Sequence, residues 1–144
     1  RNAYAVTDIN NDGRPDKLVP AGIIWMQGEA DAQFSQASAD AYHDNLKRLM
    51  DLFRGSLRKD DLPVVIGKIN DSHMTPDGGP TQPYIATVHA AQKYFTDNDP
   101  CATLVTETET YKFSSDVWHY DSEGYTQMGE AFAKAVTMLE STCK

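Results

Sequence analysis

The chain has little cysteine, little positive charge and no long apolar run. Its two cysteines, Cys101 and Cys143, do not make a disulfide-dense scaffold. They also stand outside any C-x-x-C or zinc-ligand spacing, which argues against thiol redox and zinc chemistry. They could close one bridge that pins the C-terminus in an oxidising compartment, or remain two thiols in a reducing one; their spacing leaves both open. With 13 Lys and Arg against 21 Asp and Glu, the formal charge is −8. Such a surface repels nucleic-acid phosphates and anionic lipid, which excludes both as expected partners. Apolar runs such as 21–26 and 64–67 fall far short of the roughly 20 residues that cross a bilayer. No basic-then-apolar leader opens the chain, and Arg1-Asn2-Ala3-Tyr4 reads like the interior of a longer polypeptide. What remains is ordinary globular composition, 40% hydrophobic and 24% charged over 144 residues, the size of one domain.

The pattern along the chain predicts alternating strands and helices. Ala21 to Met26 is continuously apolar, as expected of a strand buried on both faces of a parallel sheet. From Ser38 to Arg58 the residues Tyr42, Leu46, Leu49, Met50, Phe53 and Leu57 recur at three- and four-residue steps, an amphipathic helix with Ser38 or Asp40 as its cap. Lys47, Arg48 and the basic residues from Arg54 to Lys59 read as its solvated face. Pro63 to Ile69 reads as a second buried strand, Asn70 to Pro80 as a Gly/Pro/Asp-rich loop, and Gln82 to Asp97 as a helix. A short strand over Ala102–Thr106 and a last helix over Ser122–Ser141, striped by Tyr125, Met128, Phe132, Val136 and Leu139, complete the order. This order predicts an α/β fold, a three-layer sandwich with a mostly parallel sheet, whose functional loops follow the strands at Gln27, Asn70 and Glu107.

Two segments at those loops carry candidate chemistry. In Asp116-Val117-Trp118-His119, a carboxylate three residues before an imidazole can accept the Nδ1 proton and leave Nε2 as a general base. The same stretch also reads as a turn, with Asp121 or Ser122 capping the next helix. In Trp25-Met26-Gln27-Gly28-Glu29-Ala30-Asp31-Ala32, the Gln27 amide at a strand exit could donate to an oxyanion. Glu29 and Asp31 read either as an acid/base pair or as solvated caps.

Together these segments resemble the W-x-Q-G-E-x-D-A and D-x-x-H blocks of the SGNH-hydrolase superfamily. The similarity is to its carbohydrate acetylesterase branch, the sialate O-acetylesterase-like proteins and carbohydrate esterase family 6. It runs from about Pro20 to Ala135. It implies a Ser-His-Asp esterase that removes acetyl groups from a glycan without a cofactor, with His119 as base, Asp116 as its orienter and Gln27 as an oxyanion donor. The family's G-[DQ]-S-N-like nucleophile turn does not occur in these 144 residues. Ser72, in Asn70-Asp71-Ser72-His73, lies in a strand-end loop beside a histidine but reads as part of a polar loop closing over the site. The expectation is therefore the C-terminal portion of such an enzyme, its front βα units and serine supplied elsewhere in the polypeptide or by a separate chain.

A further motif stands near the start. Asp8, Asn10, Asp12 and Asp16 occupy relative positions 1, 3, 5 and 9 with Gly13 at 6, and the Arg14 carbonyl would serve at 7, as in short calcium loops. Val19 stands where an EF-hand needs a bidentate Glu, so a full helix–loop–helix hand is not expected; an Asx- and Gly-rich turn without an ion is the other reading. A structural Ca2+ here, a secreted or periplasmic location and an acetylated carbohydrate substrate complete the expectations. Two alternatives stand beside the esterase: a non-catalytic, calcium-stabilised glycan-binding module, and a metal-dependent hydrolase using Glu29, Asp31 and His73.

Overall fold

Val64–Gly67 is apolar at every position, and in the computed structural model, which describes residues 6–143, it forms β4 with all four residues buried. The opening Arg1–Tyr4 lies outside the described residues. Two short strands, β1 (Val6–Thr7) and β2 (Asp16–Lys17), pair antiparallel around the loop that contains the calcium-like motif. β3 (Ile23–Trp25) and β5 (Ala102–Val105) flank β4, both parallel to it, in registers Ile23↔Val64 and Val64↔Ala102. Between them run α1 (Glu29–Phe34), α2 (Gln36–Leu57) and α3 (Ile85–Asn98), and α4 (Ser122–Thr142) closes the chain.

The helices cover the sheet from two sides. Tyr42, Leu46 and Met50 of α2 and Val88, Ala91 and Phe95 of α3 pack on one face with Val64 and Ile66, while Phe132, Ala135 and Leu139 of α4 pack on the other with Val65 and Val105. Burial of each large apolar side chain of this kind contributes about 1.5–3 kcal/mol. Gly67 permits the second contact. A Cβ there would collide with Met26 Sδ and lie 2.8 Å from Phe132 Cζ. The three layers, α/β/α around a parallel sheet, are those the alternating pattern predicts.

Several local expectations are corrected. Ala21–Met26 is not buried on both faces: Ile24 is 53% exposed, because β3 is an edge of the three-stranded sheet and α4 packs over β4 and β5. Ser35, not Ser38 or Asp40, caps α2, its Oγ accepting the Ser38 N–H at 3.1 Å. Tyr125 lies outside the buried stripe of α4 and is exposed. Arg54 is not on a solvated face. Its guanidinium is buried, donating to the Leu62 carbonyl and to the Asp99 carboxylate at the entrance to β5. Asp121 does cap α4, accepting the Gly124 N–H at 2.7 Å. Cys101 and Cys143 are joined, their Cα atoms 5.3 Å apart, so the last turn of the chain is tied to the start of β5.

Candidate active site

All three parallel strands end at one edge of the sheet, and the loops leaving it carry the two sequence blocks. After β5 a 3-10 turn, Glu107–Thr110, docks on the exit of β4. Thr108 Oγ1 donates to the Lys68 carbonyl at 2.6 Å, Lys68 Nζ pairs with Glu109 at 2.6 Å, and Asn70 Nδ2 donates to the Glu109 carbonyl at 3.1 Å. The chain then forms a tight excursion pinned at its neck. Phe113 and Tyr120 bridge antiparallel, Ser114 N–H donates to the His119 carbonyl at 2.8 Å, and Asp121 N–H donates to the Lys112 carbonyl at 2.9 Å. Beneath it the rings of Tyr111, Phe113, Tyr120 and Tyr125 pack on one another.

Within this excursion the structure brings Asp116 and His119 together. His119 Nδ1 lies 3.0 Å from each oxygen of Asp116, and the same carboxylate accepts the backbone N–H groups of Trp118 at 2.8 Å and His119 at 2.9 Å. The N–H of Trp118, together with the His119 imidazole, holds the Asp116 carboxyl down at about 2, well below its ordinary value. An ionised carboxylate only accepts, so the facing Nδ1 carries the proton and Nε2 is the basic nitrogen. Both side chains are exposed, His119 at 65%. Trp118, between them in sequence, is 41% exposed. Sequence reading passed over it because an isolated Trp on a loop has no periodicity to place it.

The other block is built on Gly28. Its φ of 142° suits glycine, and a Cβ there would lie 2.9 Å from Val88 and 3.3 Å from Tyr42. This turn carries the chain from β3 into α1. Tyr42 Oη donates to the Gln27 carbonyl at 2.7 Å, and Gln92 Nε2, buried on α3, reaches the same carbonyl at 3.3 Å. Burial, with Asp31 and Glu29 nearby, pushes the Tyr42 hydroxyl up to about 12. The Gln27 side-chain amide donates to Asp31 Oδ2 at 2.7 Å, at the mouth of a small cavity of about 80 Å3 that Tyr42 and Leu46 also line. Asp31 stands with Glu29 in the first turn of α1, and its carboxylate accepts from Gln27. Glu29 reaches the other block electrostatically: after burial itself, its charge is the largest influence raising the Tyr120 hydroxyl, next to His119.

Asp71, which the sequence offers only as part of a polar loop, organises the third loop. Its buried carboxylate accepts the N–H groups of His73, Thr81 and Gln82 and the Thr81 hydroxyl. Burial raises this carboxyl, but those donors outweigh it and hold it below its ordinary value. Ser72 sits in that loop with its Oγ accepting the Met74 N–H at 3.3 Å, a local turn contact. A concavity of about 700 Å3 lies at the opposite edge, among the final turns of α2 and α3 and the approach to β5.

The loop between β1 and β2 closes on itself. Asp8 accepts the N–H groups of Asp12 and Gly13, Asp12 that of Arg14 and Asp16 that of Ile9, while Asn10 Oδ1 also accepts from Asp12 N–H. Asn11 and Gly13 take left-handed conformations to allow this. Among the described residues no three His, Cys, Asp or Glu groups come together as they would around a metal ion, neither Glu29, Asp31 and His73 nor Asp8, Asp12 and Asp16.

An X-ray structure of an Arabidopsis thaliana protein at 1.6 Å resolution superposes with a TM-score of 0.68 at 24% identity, covering 82% of this chain and 44% of that one. The likeness establishes the fold, and the chain spans less than half of that protein's length. No curated protein matches the chain. The family of carbohydrate esterases described as sialic acid-specific acetylesterases matches residues 5–138. Matched over nearly its whole length, and carrying both blocks at one edge of a parallel sheet, the chain belongs to that carbohydrate esterase family.

Proposed function

We propose that this chain supplies the base, its orienting carboxylate and one oxyanion donor of a carbohydrate O-acetylesterase, with the nucleophilic serine contributed from outside these 144 residues. The observation that carries the reading is the 3.0 Å contact of His119 Nδ1 with both oxygens of Asp116. In the reaction, the serine Oγ–H proton passes to His119 Nε2 as Oγ bonds to the acetyl carbon. The bond from that carbon to the sugar oxygen breaks, and the leaving oxygen takes the proton back from Nε2. Water then repeats the sequence on the acyl-serine and releases acetate. Gln27 would donate an N–H to the oxyanion of each tetrahedral intermediate. No step draws on a cofactor.

The unpaired side of β3, with Ile24 exposed, supports pairing with a further strand that brings the serine, from the same polypeptide or a separate chain. A secreted or periplasmic location agrees with the Cys101–Cys143 bridge. The 8–16 loop is proposed as a structural calcium site on the spacing of Asp8, Asn10, Asp12 and Asp16 and the Arg14 carbonyl; its role would be to fix the segment leading to β3. The test of the central reading is hydrolysis of p-nitrophenyl acetate and of an O-acetylated sialic acid by the full-length protein. Activity should disappear in His119→Ala; retained activity overturns the assignment. A protein that binds the acetylated glycan without hydrolysing it would support the non-catalytic module instead.

A further inference from the structure

A glutamine amide is a poor oxyanion donor unless something decides which way it faces. Its terminal torsion is broad and nearly two-fold, so a free amide presents its oxygen about as readily as its nitrogen. An oxygen turned toward a developing oxyanion would repel it. Gln27 is held at both ends. Its backbone carbonyl accepts from Tyr42 Oη at 2.7 Å and from Gln92 Nε2 at 3.3 Å, which fixes the strand exit. Its side-chain Nε2 donates to Asp31 Oδ2 at 2.7 Å. A carboxylate accepts and does not donate, so it selects the nitrogen and rejects the flipped amide. One of the two Nε2 protons is used in this contact and the other stays available.

The support for Asp31 is itself anchored. α1 opens at Gly28, where Ala32 N–H donates to the Gly28 carbonyl at 2.8 Å, and the Ala32 carbonyl accepts the Tyr84 N–H at 2.9 Å from the segment entering α3. Ala32 is fully buried. The residue before it therefore has a fixed Cα, and its carboxylate is carried on a helix and not on a loop. From this geometry we infer that Asp31 is a positioning residue, whose carboxylate orients the Gln27 amide so that its second N–H faces the oxyanion. The inference rests on the reading of Gln27 as oxyanion donor.

The test uses the full-length enzyme with an O-acetylated sialic acid as substrate. Gln27→Ala should lower kcat by roughly 100-fold, the usual loss of one oxyanion donor, with KM little changed. Asp31→Ala and the volume-conserving Asp31→Leu should match that loss with the same split between kcat and KM. Asp31→Asn keeps an acceptor oxygen but can also turn its amide and donate to the flipped Gln27 side chain, so it should restore at most part of the rate. In the unmodified enzyme, one proton of the Gln27 side-chain amide should exchange with solvent more slowly than a free glutamine amide, a readout that needs no variant to fold. Full rate in Asp31→Ala beside an impaired Gln27→Ala overturns the positioning role alone. Asp31→Asn at the full rate of the unmodified enzyme overturns the selection of the amide by an accept-only group. Free-amide exchange at Gln27 overturns it as well. Full rate in Gln27→Ala overturns the oxyanion reading and this inference together.

Discussion

His119 Nδ1 is equidistant, at 3.0 Å, from the two carboxylate oxygens of Asp116, and that carboxylate also holds the backbone N–H of His119 itself. One side chain therefore fixes both the position and the tautomer of the base. Asp116→Asn preserves the size but can present a donor to Nδ1, and kcat of the full-length enzyme should fall by roughly 10^2–10^4-fold. The Asp116 carboxyl sits at about 2 in the fold, below its ordinary 3.8. What its ionised form contributes is complete above that ordinary value and is lost only as pH falls through about 2. A titration of the Asp116 carboxyl itself, followed by NMR, with its midpoint above pH 4 contradicts this.

Much of that site is legible in the sequence, and the reason is chemical locality. Asp116 and His119 are three residues apart on one turn, so their contact is a property of a short segment. Gln27 and Gly28 end an apolar run, and Gly28 announces a backbone that a Cβ would obstruct. What sequence reading missed depends on long-range partners. Arg54 looks solvated until Asp99, 45 positions away, turns out to face it, and Asp71 looks like loop polarity until Thr81 and Gln82 fold back onto it. α1, six residues long, is too short to display a helical period. β3 reads as fully buried because composition reports hydrophobicity and not which strand lies at an edge.

Trp118 stands 41% exposed in the turn that holds the dyad, and its N–H donates to Asp116 at 2.8 Å. An exposed indole one residue before the proposed base could present an apolar face to a sugar ring. Trp118→Ala should raise KM for an O-acetylated sialic acid by roughly tenfold, in line with the modest energy of an aromatic contact. The effect on p-nitrophenyl acetate, which has no sugar, should be smaller. Equal changes for both substrates would show that the Trp shapes the turn and does not contact the glycan.

The Arg54–Asp99 pair joins the end of α2 to the entrance of β5, with both side chains mostly covered. Removing Arg54 leaves the mostly buried Asp99 charge with only the Cys101 N–H at 2.9 Å and takes both side-chain donors from the Leu62 carbonyl. Arg54→Ala should therefore lower the unfolding free energy by roughly 3–5 kcal/mol in urea denaturation. A loss below about 1 kcal/mol would place the pair among surface ion pairs.

Asp71 makes the loop after β4 sensitive to acid. Its carboxyl lies below the ordinary 3.8 in the folded chain because donors from Thr81, His73 and Gln82 outweigh its burial. The stabilisation is complete above that value and fades as pH falls beneath it. Amide exchange in residues 71–82 should accelerate as pH drops below 3.8, beyond the intrinsic pH dependence, while β4 stays protected. Asp71→Asn, which cannot accept as many donors, should show the faster exchange already at neutral pH. Unchanged exchange in that variant contradicts the clamp.

The 8–16 loop allows a decision between an ion site and a self-sufficient turn. Its carboxylates already accept loop N–H groups, with Asp8 serving both Asp12 and Gly13, so the turn has a set of bonds that needs no cation. Against this, Asp8, Asp12 and Asp16 crowd three negative charges into nine residues of a chain carrying −8 overall, a repulsion that Ca2+ would relieve. A bound ion stabilises the folded state by an amount set by its concentration over Kd, about 2.7 kcal/mol at a hundredfold excess. If calcium is resident, adding EGTA to the full-length protein should lower Tm by several degrees, and Asp12→Ala should abolish that difference without altering Tm in the presence of the chelator by more than the loss of one turn. A melt that ignores both EGTA and added calcium assigns the loop to its Asx turns alone.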